Sequence, residues 1–93
     1  MTFSLNDDAE KEMNDAADYY EAERIGLGDD FLEEVRSAVE FLLQFPESAP
    51  RVLRTVRKRV LKRFPYNVFY SVHGDLLRIL AVSHQSRRPF YWR

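Results

Sequence analysis

The hydrophobic positions change their period once along the chain, and this change divides the sequence into a helical half and a strand half. From Ala9 to Leu43 apolar residues recur at spacings of three and four, as on one face of a helix. After Pro50 they alternate with polar residues, and β-branched and aromatic side chains become frequent. The pattern therefore predicts helices first and strands afterwards.

Two helices are predicted in the first half. The first runs roughly from residue 8 to 24 and follows a capping-box signal at Asp7–Glu10. Gly26 and Gly28 allow the chain to reverse, and a second apolar stripe then continues until Pro46 stops it. Helices joined by such a short turn are expected to pack as an antiparallel hairpin. Their acids are expected to form a solvated outer face: Asp15, Asp18, Glu21, Glu23, Glu34 and Glu40.

Three strands are predicted in the second half. One spans Val52–Val60, and two more, Tyr66–Val72 and Leu76–Val82, form a hairpin around a tight turn at Gly74. Thr2–Leu5 also alternates and forms a short opening strand if another strand pairs with it. The predicted fold class is α+β: a short N-terminal strand, an antiparallel helical hairpin, then a three-stranded antiparallel sheet with the helices packed on one face.

Charge follows the same division. The first fifty residues hold three bases and fourteen acids, whereas residues 51–93 hold eleven bases and one acid, a formal charge of +10. Because the helices cover one face of the sheet, the arginines are expected on the opposite face. Such a basic face is typical of a surface that binds a polyanion, with solubilising charge as the alternative interpretation.

Length and composition exclude several classes of protein. Ninety-three residues suit one domain, expected to span residues 1–93. Without cysteine there are no disulfides and no Cys-ligated metals, and no phosphate loop or metal-binding histidine pair is present. We expect no cofactor and no metal. No leader or membrane-spanning segment is apparent either, so a cytoplasmic protein that does not bind membranes is predicted.

Metal-free acid–base chemistry remains open, and its candidate residues lie near the C-terminus. Cleavage of RNA without a metal needs a base for the 2′-hydroxyl, cations for the phosphorane and an acid for the leaving oxygen. His84, Arg87 and Tyr91 are of the right types, although His84 at the end of a strand equally suits a structural hydrogen bond. The cations that can hold phosphates are Arg54, Arg57, Arg59, Arg63 and Arg88.

Several motifs taken together resemble the RelE/ParE superfamily of bacterial type II toxins. They are the tract Val56–Tyr70, the strand Leu77–His84, the ending Arg87–Trp92, and, among the helices, Ala17–Tyr20, Gly28–Phe31 and Phe45–Pro46. The resemblance implies a growth-inhibiting toxin that a cognate antitoxin neutralises. It also implies the element order derived above.

The superfamily implies two possible activities. One branch cleaves mRNA on the ribosome without a metal, and there Tyr91 matches a C-terminal tyrosine and His84 a position that some members give to a catalytic histidine or lysine. The other branch poisons DNA gyrase without catalysis of its own. The sequence departs from the ribonucleases at Asn67, where an arginine is common, and at Gln85, where several have a base. Ribosome-dependent mRNA cleavage is the leading hypothesis, gyrase inhibition the alternative, and an inactive or purely RNA-binding module a further alternative.

Overall fold

The computed structural model describes residues 1–87, which form one strand, two helices and four further strands. This order confirms the predicted α+β class. The elements are β1 (Thr2–Leu5), α1 (Asp7–Glu23), α2 (Leu27–Gln44), β2 (Arg51–Leu53), β3 (Val56–Val60), β4 (Tyr66–His73) and β5 (Leu76–His84).

The strands form one five-stranded sheet in the order β1-β5-β4-β3-β2. β1 pairs with β5 in parallel, and the other neighbours are antiparallel. The sheet is therefore larger than the predicted three strands. The single strand predicted over Val52–Val60 is two strands joined at Arg54, which has a left-handed φ of 51°. Apolar and polar residues alternate both before and after this reversal, so the valine pattern reads as one continuous strand.

The helical hairpin depends on capping and on one close approach. Asn6, and not Asp7, caps α1: its Oδ1 accepts hydrogen bonds from the backbone N–H groups of Asp8 at 2.9 Å and Ala9 at 3.3 Å. At Gly28 an added Cβ would lie 2.5 Å from the Ala17 carbonyl oxygen. Gly28 therefore serves helix packing, whereas the preceding Gly26, at φ 89°, provides the left-handed turn.

Two acids predicted to be merely solvated instead hold the backbone. The Glu34 carboxylate accepts the N–H groups of Lys62 at 2.9 Å and Arg63 at 3.0 Å, and this ties α2 to the β3–β4 loop. Glu21 accepts the N–H groups of Gly26 and Gly28 and closes the turn between the helices. Both carboxylates satisfy backbone donors that helix and strand pairing leave over.

The core lies between the helices and one face of the sheet, as predicted. Phe31 is fully buried and packs its ring against Tyr20, Phe64 and Tyr66, with centroids 5.0–5.4 Å away. Further buried residues come from the two central strands: Val68, Tyr70, Leu77, Ile79 and Val82.

A β-bulge in β5 decides which side its last residues face. Tyr70 pairs with Ile79 but Phe69 pairs with Ala81, so Leu80 is an extra residue in the strand. Because one extra residue exchanges the two faces, Ile79 and Val82 both point into the core although three positions separate them. The same shift turns His84 towards the helices.

The helices are too short or too polar for a bilayer. Across residues 1–87 no helix has the length and apolar character needed to cross a membrane.

Candidate functional site

The arginines of β3 project towards the helical layer. Arg57 pairs with Tyr70 and Arg59 with Val68, and both partners belong to the core below the helices. The expectation that the arginines lie on the opposite sheet face is therefore wrong for these two residues. The side chains of Arg57 and Arg59 reach the α2–β2 loop and the edge of α2. Both remain partly exposed to solvent, so their charges stay hydrated.

Each of these arginines already has a structural contact. Arg57 donates from Nη1 to the carbonyl oxygens of Ala49 at 2.7 Å and Glu47 at 3.2 Å. The Arg59 guanidinium lies over the Phe41 ring, 4.8 Å from its centroid.

The remaining predicted phosphate-binding residues are dispersed. Arg63 lies 3.5 Å from the Asp30 carboxylate and over the ring of Phe64. Arg54 lies in the turn between β2 and β3. Arg88 and the candidate catalytic Tyr91 lie outside the described residues.

His84 ends β5 and pairs with Tyr66 at the start of β4, with ring centroids 5.2 Å apart. Its Nδ1 accepts the backbone N–H of Ser86 at 3.0 Å and lies 2.7 Å from the Ser86 hydroxyl. Because an N–H group can donate only to an unprotonated nitrogen, the neutral ring carries its hydrogen on Nε2. In this tautomer the Nε2–H of His84 is a hydrogen-bond donor.

His84 and Arg87 line one cleft, hereafter the His84 cleft, between α1 and the end of the β4–β5 hairpin. Its volume is about 310 Å³. The other side chains that matter for its chemistry are Glu12, Asp15, Tyr19 and Tyr66. The structure thus brings together two of the three predicted catalytic residues and adds acids and tyrosines that were not predicted as site residues, among them Asp15, which was expected only on the solvated face of the helices. The pairing register of the hairpin, which places Tyr66 opposite His84, is the signal that identifies Tyr66.

Burial favours the protonated forms of two groups in this cleft, the Glu12 carboxyl and the Tyr66 hydroxyl. It raises the pKa of the Glu12 carboxyl, and the nearby Arg87 cation and the Val82 backbone N–H only partly oppose this effect. Burial also raises the pKa of the Tyr66 hydroxyl, and the Glu12 carboxylate adds to that increase. Tyr66 consequently remains a protonated hydrogen-bond donor at neutral pH.

Comparison with known proteins identifies the family. The family described as ParE toxin of type II toxin-antitoxin system, parDE, matches residues 3–89. The chain belongs to the ParE toxin family. This membership confirms the resemblance to the RelE/ParE superfamily drawn from its motifs.

A solved structure supports the fold of this ParE-family chain. It comes from the chromosomal ParDE toxin–antitoxin system of P. aeruginosa and superposes with a TM-score of 0.65. The match covers 90% of this chain and 95% of that chain at 22% sequence identity. No curated protein matches the chain significantly.

Within the described part of this ParE-family chain, His84 and the arginines of β3 lie in separate places. Along β4, Tyr66 beside His84 and Tyr70 beside Arg57 are four residues apart, about 13 Å at the rise of a strand. Two strand spacings, about 10 Å, also separate β5 from β3. The His84 cleft moreover contains the carboxyl groups of Glu12 and Asp15, which disfavour a phosphate.

We expect Glu12→Gln to raise the free energy of unfolding of this ParE-family toxin at neutral pH by less than about 1 kcal/mol, because solvent screens the half-buried group. A raised pKa in the folded state means that folding favours protonated Glu12. The stability from Glu12 is therefore complete below the pKa of the unfolded chain and is lost as pH rises through the folded-state pKa. Urea denaturation across this pH range measures the effect.

The gain from Glu12→Gln should disappear below about pH 4, where glutamate in the unfolded chain is itself protonated. Asp18→Asn, an exposed change on the same helix, is the control and should alter stability by less than about 0.5 kcal/mol. A destabilised Glu12→Gln protein at neutral pH would show that the attraction of Arg87 outweighs burial.

Proposed function

We propose that this ParE-family toxin arrests growth by inhibiting DNA gyrase, without catalysis of its own, and that a cognate antitoxin neutralises it. Membership of a toxin–antitoxin family supports the toxin and its protein partner. The gyrase target is the activity that the ParE branch of the superfamily implies. One structural observation supports the absence of catalysis: within residues 1–87, the arginines of β3 lie apart from the cleft that holds His84 and Arg87.

The separation of these residues argues against phosphoryl chemistry in two ways. A metal-free ribonuclease must hold the phosphorane charge with cations close to its acid and base, because stabilisation depends on groups placed in advance. Here Arg57 donates to backbone carbonyls and Arg59 lies against Phe41, while His84 lies across the sheet. In addition, accepting a proton at Nδ1 would break the hydrogen bond that His84 accepts from Ser86.

Ribosome-dependent mRNA cleavage is the second candidate function, and one observation favours it. His84 and Arg87 share a cleft with the protonated hydroxyl of Tyr66, so a donor and a cation lie side by side. In this proposal the 2′-oxygen attacks the phosphorus as solvent takes its proton, and the bond to the 5′-oxygen breaks. His84 gives the Nε2 proton to that leaving oxygen from its imidazolium form, which requires the Ser86 N–H to leave Nδ1. Arg87 holds the phosphate, and Tyr91 orients a base. The other arginines then contribute only to positioning the RNA.

Two assays with purified toxin distinguish the candidates. For gyrase inhibition we expect loss of DNA supercoiling and trapped gyrase–DNA cleavage complexes, with no cutting of ribosome-bound mRNA. We also expect the double variant His84→Ala, Arg87→Ala to arrest growth as the parent does. His73→Ala, at the other end of the hairpin, is the matched control for removal of a histidine.

The opposite pattern would refute the proposal. Codon-linked cleavage of mRNA by the parent toxin, lost in the double variant and kept in His73→Ala, would assign the activity to the His84 cleft. Normal supercoiling at doses that arrest growth would remove gyrase as the target.

A further inference from the structure

Two walls of different origin enclose the His84 cleft, to which the proposed inhibition of gyrase gives no role. One wall is a face of α1, where Glu12, Asp15 and Tyr19 recur at spacings of three and four. The other wall is the end of the β4–β5 hairpin, which contributes Tyr66 and His84. The volume of about 310 Å³ lies at the lower end of the range for small-molecule sites, so it suits a single ring system.

The surfaces of the cleft favour a planar aromatic ligand. Ala16 and Val82 are buried and provide an apolar lining between the two walls. The Tyr19 ring is 61% exposed, and the rings of Tyr66 and His84 pack edge to face, with their planes 78° apart. Exposed aromatic side chains stack on nucleobases, since every base has a π-face. An unstacked nucleobase is therefore a ligand that these surfaces can hold.

The charges in the cleft are largely compensated, and this favours a neutral ligand. The Asp15 carboxylate is paired with Lys11 at 2.8 Å, and the Arg87 cation attracts the Glu12 carboxylate. A phosphate would be repelled by both carboxylates, and a cationic ligand would have to compete with Lys11 and Arg87 for them. A neutral base avoids both conflicts, provided that the phosphate of its nucleotide stays outside the cleft.

The hydrogen-bonding groups of the cleft match guanine. The Glu12 carboxylate has about four acceptor sites, so the contact with the Val82 N–H leaves room for further donors. Among residues 1–87 the Nε2–H of His84 makes no hydrogen bond, while Nδ1 accepts the Ser86 N–H. Guanine presents two adjacent donors, N1–H and N2–H, beside the acceptor O6. Adenine and cytosine present one amino donor beside an acceptor nitrogen, which would leave one carboxylate oxygen without a partner.

We propose that the His84 cleft binds a guanine base. The Glu12 carboxylate accepts from guanine N1–H and N2–H, the Nε2–H of His84 donates to O6, and the tyrosines of the two walls enclose the ring. The same base can come from a free nucleotide or from a single-stranded nucleic acid, and its phosphate stays outside the cleft in both. This binding involves neither catalysis nor gyrase, so it goes beyond the proposed function.

Binding of GMP to the purified full-length toxin tests the inference. Calorimetry gives the affinity, and NMR shifts of the Tyr66 and His84 rings give the location. We expect GMP to bind about tenfold more tightly than AMP or IMP, which lacks the N2 amino group, because both lose a hydrogen bond to a carboxylate. Glu12→Gln should remove this preference, since an amide has one acceptor oxygen. Asp18→Asn, an exposed change on the same helix, is the matched control and should bind GMP as the parent does.

His84→Ala should weaken GMP binding by about fivefold, with His73→Ala as its control. Thermal melting shows whether each variant is folded, and the isosteric Glu12→Gln keeps the test valid if His84→Ala is unstable. Absence of GMP binding, equal binding of GMP, IMP and AMP, or an unchanged guanine preference in Glu12→Gln would overturn the inference. A short oligothymidine strand with one central guanine distinguishes the two sources. Tighter binding of the strand than of GMP identifies a nucleic acid, and the reverse identifies a free nucleotide.

Discussion

We expect Phe31→Ala to lower the free energy of unfolding by about 3–5 kcal/mol, the largest effect of any substitution proposed for this toxin. Phe31 is fully buried, and its ring lies within about 5.5 Å of the rings of Tyr20, Phe64 and Tyr66. These neighbours belong to a helix, a loop and a strand, so they cannot all move inwards to fill the space. The cost therefore includes both lost burial and a residual cavity. Urea denaturation measures it.

Phe41→Ala is the matched control for Phe31→Ala. Both phenylalanines lie on α2, but Phe41 is 40% exposed, and its ring contacts are with Arg59 and with the exposed Phe45. Its loss should therefore cost about 1 kcal/mol or less. Similar losses for the two variants would contradict the core described for the helical hairpin. Because Tyr66 also lines the His84 cleft, Phe31→Ala should loosen that cleft as well.

The helices and the β4–β5 hairpin were predictable because their signals are local. Apolar residues at spacings of three and four define α1 and α2, and Gly74 has the left-handed φ, 59°, that its turn requires. β1 was only a conditional prediction. Its partner, β5, follows more than seventy residues later, and an alternating pattern states which face is buried but not which strand lies beside it.

Two irregular positions concealed which face of the sheet the candidate site residues lie on. The run Leu76–Val82 is apolar on both faces, so the sequence does not reveal that Leu80 is an extra residue and that His84 faces the helices. Arg54 adopts a left-handed φ that is uncommon for a residue with a side chain, so the strand reversal there lacks its usual glycine or asparagine. The face on which Arg57 and Arg59 lie depends on the strand pairing beyond this reversal.

The charge division was predicted correctly as composition but not as geometry. Acids on the helices and bases on the strands suggest two separate surfaces, yet Glu34 crosses to bind the backbone of the basic β3–β4 loop. Arg57 likewise crosses to the α2–β2 loop. These contacts join segments that are distant in sequence. Counting charges along the sequence suggests that such residues bind a partner, whereas here they hold the fold together.

We expect Arg57→Ala to lower the free energy of unfolding by about 2 kcal/mol, because a hydrogen bond from a charged group to the partly buried Ala49 carbonyl is strong. The lost partners are the carbonyl oxygens of Ala49 and Glu47. Tyr70 holds the same loop through the Pro46 carbonyl at 2.9 Å, so the loop should loosen without detaching. Urea denaturation measures the loss, and growth arrest is assayed in the same variant.

Arg51→Ala is the matched control for Arg57→Ala, since Arg51 is exposed and should contribute less than about 0.5 kcal/mol. If Arg57 is structural, Arg57→Ala lowers stability while the folded fraction still arrests growth. Unchanged stability with complete loss of growth arrest would instead mean that Arg57 leaves the loop to bind the target. That result would remove the main argument against phosphate binding on β3 and would favour mRNA cleavage over gyrase inhibition.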